Sequence, residues 1–360
     1  MLKKFFLNFL SSFIGAWVAL ALFCVAAVIV VVSIVAGAGI SAASEAESIK
    51  GNTVLTLDLN GEITERPANP DFSPMNLVQG NIKIPMSLTE LVSAIREAKD
   101  NKDVRMIYLK CNGVAAGAST LHALRDELLE FKKTNKKIYA YGDGMELGDY
   151  YLATVADSLF LNPAGEVAIN GLSTMVPYYK EMLDKIGIKM QVVKVGTFKS
   201  AVEPYVNTEM SEPARAQLDT LYTNVWGFIT DEICRSRKIK PEQFRNLINR
   251  DVLMLQTAEF AEKNKVIDKA VYERTMDDRI ASALGVDKKK LNFVGPATLT
   301  AMSQFGAEYG SSRQIAVLFA EGEIAEGIKN GINWEVLVPL ITELAADEEV
   351  KVLVLRGNSP

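Results

Sequence analysis

The chain has 360 residues, enough for two average domains, and its 49% hydrophobic and 23% charged residues are typical of a folded protein. A net charge of −5 gives no reason to expect a nucleic-acid partner. A single histidine, His122, and three scattered cysteines argue against His-based metal sites, a disulfide framework and a Ser-His-Asp triad, so we expect no metal and no other cofactor.

The N-terminal region is predicted to anchor the chain in a membrane. Residues 13–35 are apolar almost throughout, and no charged residue occurs between Lys4 and Glu45. A helix of this length crosses about 30 Å of hydrocarbon and is longer than the apolar core of a signal peptide, although the small residues after it leave cleavage as an alternative. Lys3 and Lys4 favour a cytoplasmic N-terminus at residues 1–12, which places the rest of a bacterial chain in the periplasm.

After a linker at residues 36–51, the alternating segment 52–65 is predicted to form a strand that turns at Asn60-Gly61. Residues 66–85 contain four prolines and are predicted to form a loop or arm. Helices and strands then alternate in an order typical of parallel βαβ units in an α/β fold. The predicted elements are a helix at 88–98 capped by Ser87, a strand at 103–110, a helix at 121–131, a strand at 137–141, a helix at 150–156, a strand at 158–161 and a long amphipathic helix after 211.

An internal repeat connects the two ends of the chain. Gly61 begins the sequence G-E-I-T-E and Gly322 begins G-E-I-A-E. Each sequence follows an apolar strand and is followed by a loop, an amphipathic helix and a second strand. Four matched elements in one order favour duplication, so we predict a first repeat at residues 52–310 and the start of a second at 311–360. Because the second copy stops within a loop, we expect these residues to be part of a longer chain.

Lys199 is the candidate for chemistry, within the segment KVGTFKSAVEPY at residues 194–205. The chain contains no P-loop, no HExxH and no GxSxG motif. A lysine is by default a surface residue, and a general base at neutral pH requires burial to lower its pKa from about 10.4 to about 7. A neutral lysine can then deprotonate a serine hydroxyl in a Ser-Lys dyad.

The segment GTFKSAVEPY, followed by TEMSEPARAQLD and preceded by GDYYLA, resembles signal peptide peptidase A of peptidase family S49 in its long bacterial form. The resemblance implies an α/β fold of ClpP/crotonase-like repeats, the first complete and the second truncated. It also implies a serine endopeptidase with a Ser-Lys dyad, forming a homotetramer in the bacterial inner membrane. The implied substrates are signal-peptide remnants and other short apolar peptides.

The resemblance also assigns roles to individual residues. Lys199 matches the general-base lysine of the family's first repeat. Aligning residues 148–151 (GDYY) with the family's G-G-Y-Y places Leu147 where the nucleophilic serine lies in the second repeat, so the nucleophile is expected beyond residue 360. Asn358, Ser359 and Pro360 resemble the start of the family's N-S-P-G-G loop, which lies near the substrate and the oxyanion.

Two other functions remain open at this point. A non-catalytic, membrane-anchored scaffold of the same fold would tolerate the loss of Lys199. A crotonase-like acyl-CoA enzyme is disfavoured by the predicted anchor and by a location outside the cytoplasm, where CoA is not available. His122 is predicted to be structural or solvated and Cys111 to be a buried thiol, and Cys234 lies on the long helix with no partner pattern.

Overall fold

The computed structural model describes residues 49–65, 85–169, 171–249, 256–300, 313–328 and 331–359, together with Lys4, Phe13, Gly15 and Trp17. The chain divides into two compact units, Met1–Ala301 and Met302–Pro360. The predicted membrane span lies outside the described residues except at three positions, and the predicted arm lies outside them except at Pro85. Among the described helices, none combines the length and the apolar character needed to span a bilayer.

The first unit is built on a parallel sheet. Its strands are β1 (Thr53–Thr64), β2 (Met86–Ser87), β3 (Val104–Ala115), β4 (Lys137–Gly142), β5 (Ser158–Leu161), β8 (Lys269–Ala270) and β9 (Asn292–Val294), while β6 (Glu166–Val167) and β7 (Gln256–Thr257) form a separate antiparallel pair. The order across the sheet is β2-β1-β3-β4-β5-β8, and β9 pairs with β1. The pairings between these strands are parallel, so the predicted α/β fold is confirmed.

The helices of the first unit connect these strands and extend beyond them. They are α1 (Leu88–Asp100), α2 (Ala118–Lys132), α3 (Leu147–Ala153), α4 (Lys180–Lys185), α5 (Glu203–Val206), α6 (Glu212–Arg237), α7 (Pro241–Asn249), α8 (Ala258–Lys263) and α9 (Met276–Leu284). The predicted cap at Ser87 is confirmed, since Ser87 Oγ accepts a hydrogen bond from Glu90 N at 3.4 Å at the start of α1. The helix predicted at 150–156 begins earlier because Glu146 and Asp149 form a capping box.

Both faces of the sheet are buried. On β1, alternate side chains face opposite layers, with Leu55 and Leu57 in the larger core and Val54 in the smaller one. The larger core includes residues of α1, α2 and α3, and the smaller one includes Met276 and Ile280 of α9. This double coverage explains the buried apolar runs of β3 and β5, because the strands of a parallel sheet are covered on both faces.

The predicted turn at Asn60-Gly61 is wrong. Strand β1 continues to Thr64, and its register with β3 shifts between Leu59 and Gly61. Gly61 has φ = +105°, a backbone conformation that glycine adopts without strain. The glycine therefore marks a bulge inside a strand, a feature that shares its sequence signal with a turn.

A buried arginine joins three helices of the first unit. The Arg125 side chain of α2 is fully buried, and its guanidinium donates to Thr154 Oγ1 at 2.9 Å and to the carbonyl oxygen of Tyr151. It also donates to Ser236 Oγ at 2.6 Å and to the carbonyl oxygen of Glu232 at 3.2 Å, both on α6. The long helix α6 is thereby fixed to the sheet domain by buried polar contacts as well as by apolar packing.

The second unit contains one strand-helix-strand motif. Strands β10 (Gln314–Glu321) and β11 (Val350–Asn358) pair in parallel, and α10 (Trp334–Ala346) connects them. Asn333 Oδ1 caps α10 by accepting from Val336 N at 2.9 Å. Large apolar side chains remain exposed on all three elements, among them Ile315, Trp334 and Leu355.

Candidate functional site

The Lys199 segment is an exposed loop that ends in a tight turn. Lys199 N donates to the carbonyl oxygen of Gly196 at 3.4 Å, and Gly196 has φ = +106°. A residue with a Cβ would be strained in this conformation, so the glycine allows the chain to reverse directly before the lysine. The turn therefore determines where the lysine side chain leaves the backbone.

Lys199 is exposed in the structure, and so are its apolar neighbours. Val193, Val195 and Phe198 have exposed fractions of 99%, 87% and 60%. The described part of the chain therefore does not supply the burial that a neutral lysine requires. A row of exposed apolar side chains around one lysine is the pattern expected of a surface that another protein segment covers.

Glu203 is the buried polar residue of this segment, with an exposed fraction of 2%. Its Oε1 accepts from Ser211 Oγ at 2.7 Å and its Oε2 accepts from Ser211 N at 3.2 Å. Lys194 Nζ lies 3.7 Å from Oε1. The hydrogen bond from the Ser211 hydroxyl lowers the pKa of Glu203 below its ordinary value, and Lys194 lowers this pKa further. The motif alone does not indicate that Glu203 is buried, because its contact with Ser211 depends on how the chain folds back.

A second polar site lies at the carboxyl edge of the sheet. A pocket of about 500 Å³ is formed where β1, β3 and β4 end. Its lining includes Asn60, Asn112, Asp143, Glu146 and Asp149. Ligand sites of parallel sheets form at this edge, because the loops that follow the strands meet there.

Asp149 lines this pocket and is buried. Its Oδ1 accepts from Gly113 N and Val114 N, both at 3.0 Å, and its Oδ2 accepts from Glu146 N at 3.3 Å. Burial raises the pKa of Asp149, while hydrogen bonds from the three backbone amides oppose that rise. The carboxylate thereby joins the end of β3 to the start of α3. The capping-box spacing between Glu146 and Asp149 was the sequence signal that could have found it.

The position aligned with the family's serine holds no hydroxyl group. Leu147 is the first residue of α3, is half-buried and packs against the main core. Gly148 lies next to it, where an added Cβ would come within 3.3 Å of Val114 Cγ1. The first unit therefore has an apolar side chain, Leu147, at the position that aligns with the nucleophilic serine of the family's second repeat.

Replacing Asp149 with alanine is expected to lower the free energy of unfolding by about 3 kcal/mol, because three backbone amides lose their acceptor in a buried site. Asparagine should cost less, since its carbonyl oxygen can still accept from Gly113 and Val114. Chemical denaturation of the 360-residue chain measures both changes. An alanine variant as stable as the unmodified protein would contradict this account of Asp149.

The remaining predicted site residues belong to the second unit. Strand β11 ends at Asn358, whose carbonyl oxygen accepts from Gly322 N at 2.9 Å. Asn358 and Ser359 are exposed, and Pro360 lies outside the described residues. Lys199 belongs to the first unit, so the predicted site residues are divided between the two units.

The two other kinds of reactive side chain noted in the sequence are the cysteines and the single histidine. Cys111 and Cys234 are buried free thiols. His122 Nδ1 lies 3.2 Å from the hydroxyl of Tyr151, and its ring packs edge-on against Phe228 with centroids 4.7 Å apart. These contacts pack His122 of α2 against Tyr151 of α3 and Phe228 of α6.

Comparison with known proteins shows what the first unit is similar to. Residues 130–287 match peptidase family S49, a range that includes Lys199. The chain is 29% identical over 324 residues to Protease 4 of Salmonella typhi, covering 85% of this chain and 51% of that protein. It is 24% identical over 323 residues to the chloroplastic serine protease SPPA of Arabidopsis thaliana, covering 87% of this chain and 46% of that protein.

The chain therefore spans about half the length of these curated relatives. Among solved structures, an enoyl-CoA hydratase/isomerase family protein from Silicibacter pomeroyi is similar at 15% identity and a TM-score of 0.32, covering 64% of this chain and 77% of that one. At this TM-score the likeness does not define the fold. Residues 130–287 thus match peptidase family S49, and most of the chain is similar to Protease 4 and to a chloroplastic serine protease SPPA.

Proposed function

We propose that this chain forms the N-terminal part of a membrane-anchored serine endopeptidase that degrades signal-peptide remnants and similar short apolar peptides. The observation that carries the proposal is the family S49 match over residues 130–287, which contains Lys199 in the segment GTFKSAVEPY. The similarity to Protease 4 and to a chloroplastic serine protease supports peptide hydrolysis by a serine.

In the proposed mechanism Lys199 is the general base. Its neutral Nζ accepts the proton of a serine hydroxyl while the serine oxygen attacks the carbonyl carbon of the peptide. Backbone amides stabilise the oxyanion of the tetrahedral intermediate, which collapses to an acyl-enzyme as the protonated lysine gives its proton to the leaving amine. Water then attacks the ester, and the lysine again takes and returns the proton.

The serine is proposed to come from outside these 360 residues. Leu147 fills the aligned position in the first unit, and the relatives are about twice as long as this chain. The exposed surroundings of Lys199 support the same conclusion, because a covering segment would both desolvate the ammonium group and bring the nucleophile. Asn358, Ser359 and Pro360 are proposed to line the substrate and oxyanion region.

The two units support the proposed pair of ClpP/crotonase-like repeats. In each unit a strand, a helix and a second strand form a parallel βαβ motif. The matched glycines also share a backbone conformation, with φ of +105° at Gly61 and +97° at Gly322. The membrane helix at residues 13–35, the periplasmic location and the homotetramer belong to the same proposal and rest on the sequence and the resemblance.

Cleavage of a synthetic signal peptide tests the proposal directly. The full-length protein that contains this chain should cleave the peptide, and the isolated 360-residue chain should not, since it has the base without the nucleophile. Mass spectrometry of the products measures both rates under one condition. If the isolated chain cleaved the peptide as fast as the full-length protein does, the result would contradict the proposal that the base and the nucleophile lie in different parts of the protein.

A non-catalytic scaffold is the second candidate. The observations that favour it are the leucine at the aligned serine position and the exposure of Lys199 in this chain. A scaffold predicts that the full-length protein has no hydrolytic activity and that replacing Lys199 changes nothing measurable. The cleavage experiment therefore separates the two candidates.

A further inference from the structure

The side chain of Lys199 is exposed on the loop at residues 194–200. Within the described residues, the structure gives the Lys199 ammonium group no hydrogen-bond or ion-pair partner. The lysine side chain is thus placed by its backbone alone. The contacts that hold this backbone are therefore the contacts that decide where the base lies.

Those contacts converge on Glu203. On the N-terminal side of the lysine, Lys194 Nζ lies 3.7 Å from Glu203 Oε1. On the C-terminal side, Glu203 N donates to the carbonyl oxygen of Ser200 at 2.9 Å. The two ends of the loop, residues 194–200, are thereby fastened to one residue.

Glu203 is in turn fixed to the start of the long helix α6. Ser211 is the N-cap of α6, and its Oγ accepts from Ala214 N at 3.4 Å. The same serine donates through its hydroxyl and its backbone amide to the two carboxylate oxygens of Glu203. Near the C-terminus of α6, Arg125 donates to the carbonyl oxygen of Glu232 and to Ser236 Oγ. Glu203 is therefore bonded to a helix that is itself fixed to the sheet domain.

We propose that Glu203 is a positioning residue for Lys199, acting through a clamp formed by Lys194, Glu203 and Ser211. This inference rests on the proposed function, since it assigns Glu203 to the placement of the general base. Glu203 touches no reacting atom in this account. It acts by keeping the lysine loop at a constant distance from the N-terminus of α6.

The clamp depends on a charged carboxylate. The Ser211 hydroxyl holds the pKa of Glu203 below its ordinary value, so Glu203 is ionised at neutral pH and attracts Lys194. The Lys194 side chain is 40% exposed, so solvent partly screens this attraction and the Ser211 hydrogen bonds form the firmer part of the clamp. A neutral or shortened side chain at position 203 should therefore release the N-terminal side of the loop first.

The first test uses the 360-residue chain and does not depend on activity. In hydrogen-exchange mass spectrometry, Glu203→Ala should increase exchange across residues 194–206 at least about 10-fold. The matched control is Glu209→Ala, which removes an exposed carboxylate from the same segment. Equal exchange in Glu203→Ala and the unmodified chain would overturn the clamp.

The second test uses peptide hydrolysis by the full-length protein. Glu203→Ala should lower kcat about 100-fold with KM unchanged, because a displacement of about 1 Å at a reacting group has an effect of that size. Glu203→Gln, which keeps an acceptor for Ser211 and loses the charge, should lower kcat by less, about 10-fold. Glu209→Ala should leave both constants unchanged.

The outcomes separate this inference from the proposed function. Full activity in Lys199→Ala would remove the proposed function, and the positioning role with it. Loss of activity in Lys199→Ala together with an unchanged kcat in both Glu203 variants would overturn the positioning role alone. If Glu203→Ala fails to fold, the Glu203→Gln variant and Lys194→Met supply the same comparison, and equal kcat in these two and the unmodified protein would overturn the inference.

Discussion

Replacing Lys199 with alanine in the full-length protein is expected to lower the rate of peptide hydrolysis by about 10³-fold to 10⁴-fold. The loss is expected because the neutral amine of Lys199 takes the serine proton during attack and returns it to the leaving amine. A chain that lacks the base retains only the catalysis supplied by binding and by oxyanion stabilisation. Steady-state kinetics with a short apolar peptide measure the loss.

A matched lysine ten residues before Lys199 provides the control. Lys189 is exposed like Lys199, and Lys189→Ala removes the same charge without removing the proposed base. This variant should hydrolyse the peptide within about 2-fold of the unmodified rate. Equal losses in the two variants would mean that net charge or folding, and not the position of Lys199, determines the rate.

Replacing Arg125 with alanine is expected to have the largest effect on stability, lowering the free energy of unfolding by about 3–5 kcal/mol. The side chain is fully buried, lies 4.5 Å over the ring of Tyr151 and pairs with Glu232 at 3.5 Å. Its removal takes one hydrogen-bond donor from the carbonyl oxygen of Tyr151 on α3 and one from that of Glu232 on α6. Denaturant unfolding followed by circular dichroism measures the change.

Arg235 offers a control that shares the same acidic partner. Arg235 also pairs with Glu232, but its side chain is 73% exposed. Solvent screens an exposed pair, so Arg235→Ala should change the free energy of unfolding by about 0.5 kcal/mol or less. Similar losses in the two variants would contradict the view that the buried contacts of Arg125, and not its ion pair, stabilise the helix arrangement.

The order of the elements in the first unit could be predicted from the sequence because its signals are local. The alternation of apolar residues marks the strands, and a capping serine such as Ser87 marks a helix start. The same local signals were ambiguous at Gly61, where a bulge and a turn both require glycine. The glycine was identified correctly, but its effect on the chain depends on the pairing of β1 with β3.

The site was predictable where the motif is contiguous and was missed where contacts are distant in sequence. Lys199 was found through one short segment. Asp149 meets the amides of Gly113 and Val114 across 36 and 35 positions of the chain, and no spacing rule links them. Arg125 and its partners on α6, Glu232 and Ser236, are likewise separated by more than a hundred residues, so the burial of its guanidinium depends on tertiary packing.

The most direct measurement of the central claim is the site and rate of modification of the full-length protein by a serine-directed fluorophosphonate. The reagent forms an oxygen–phosphorus bond with an activated serine and releases fluoride, and peptide mapping locates the adduct. The account predicts one modified serine outside residues 1–360, with modification at least about 100-fold slower in Lys199→Ala. An adduct on a residue within 1–360, or an unchanged rate in Lys199→Ala, would contradict it.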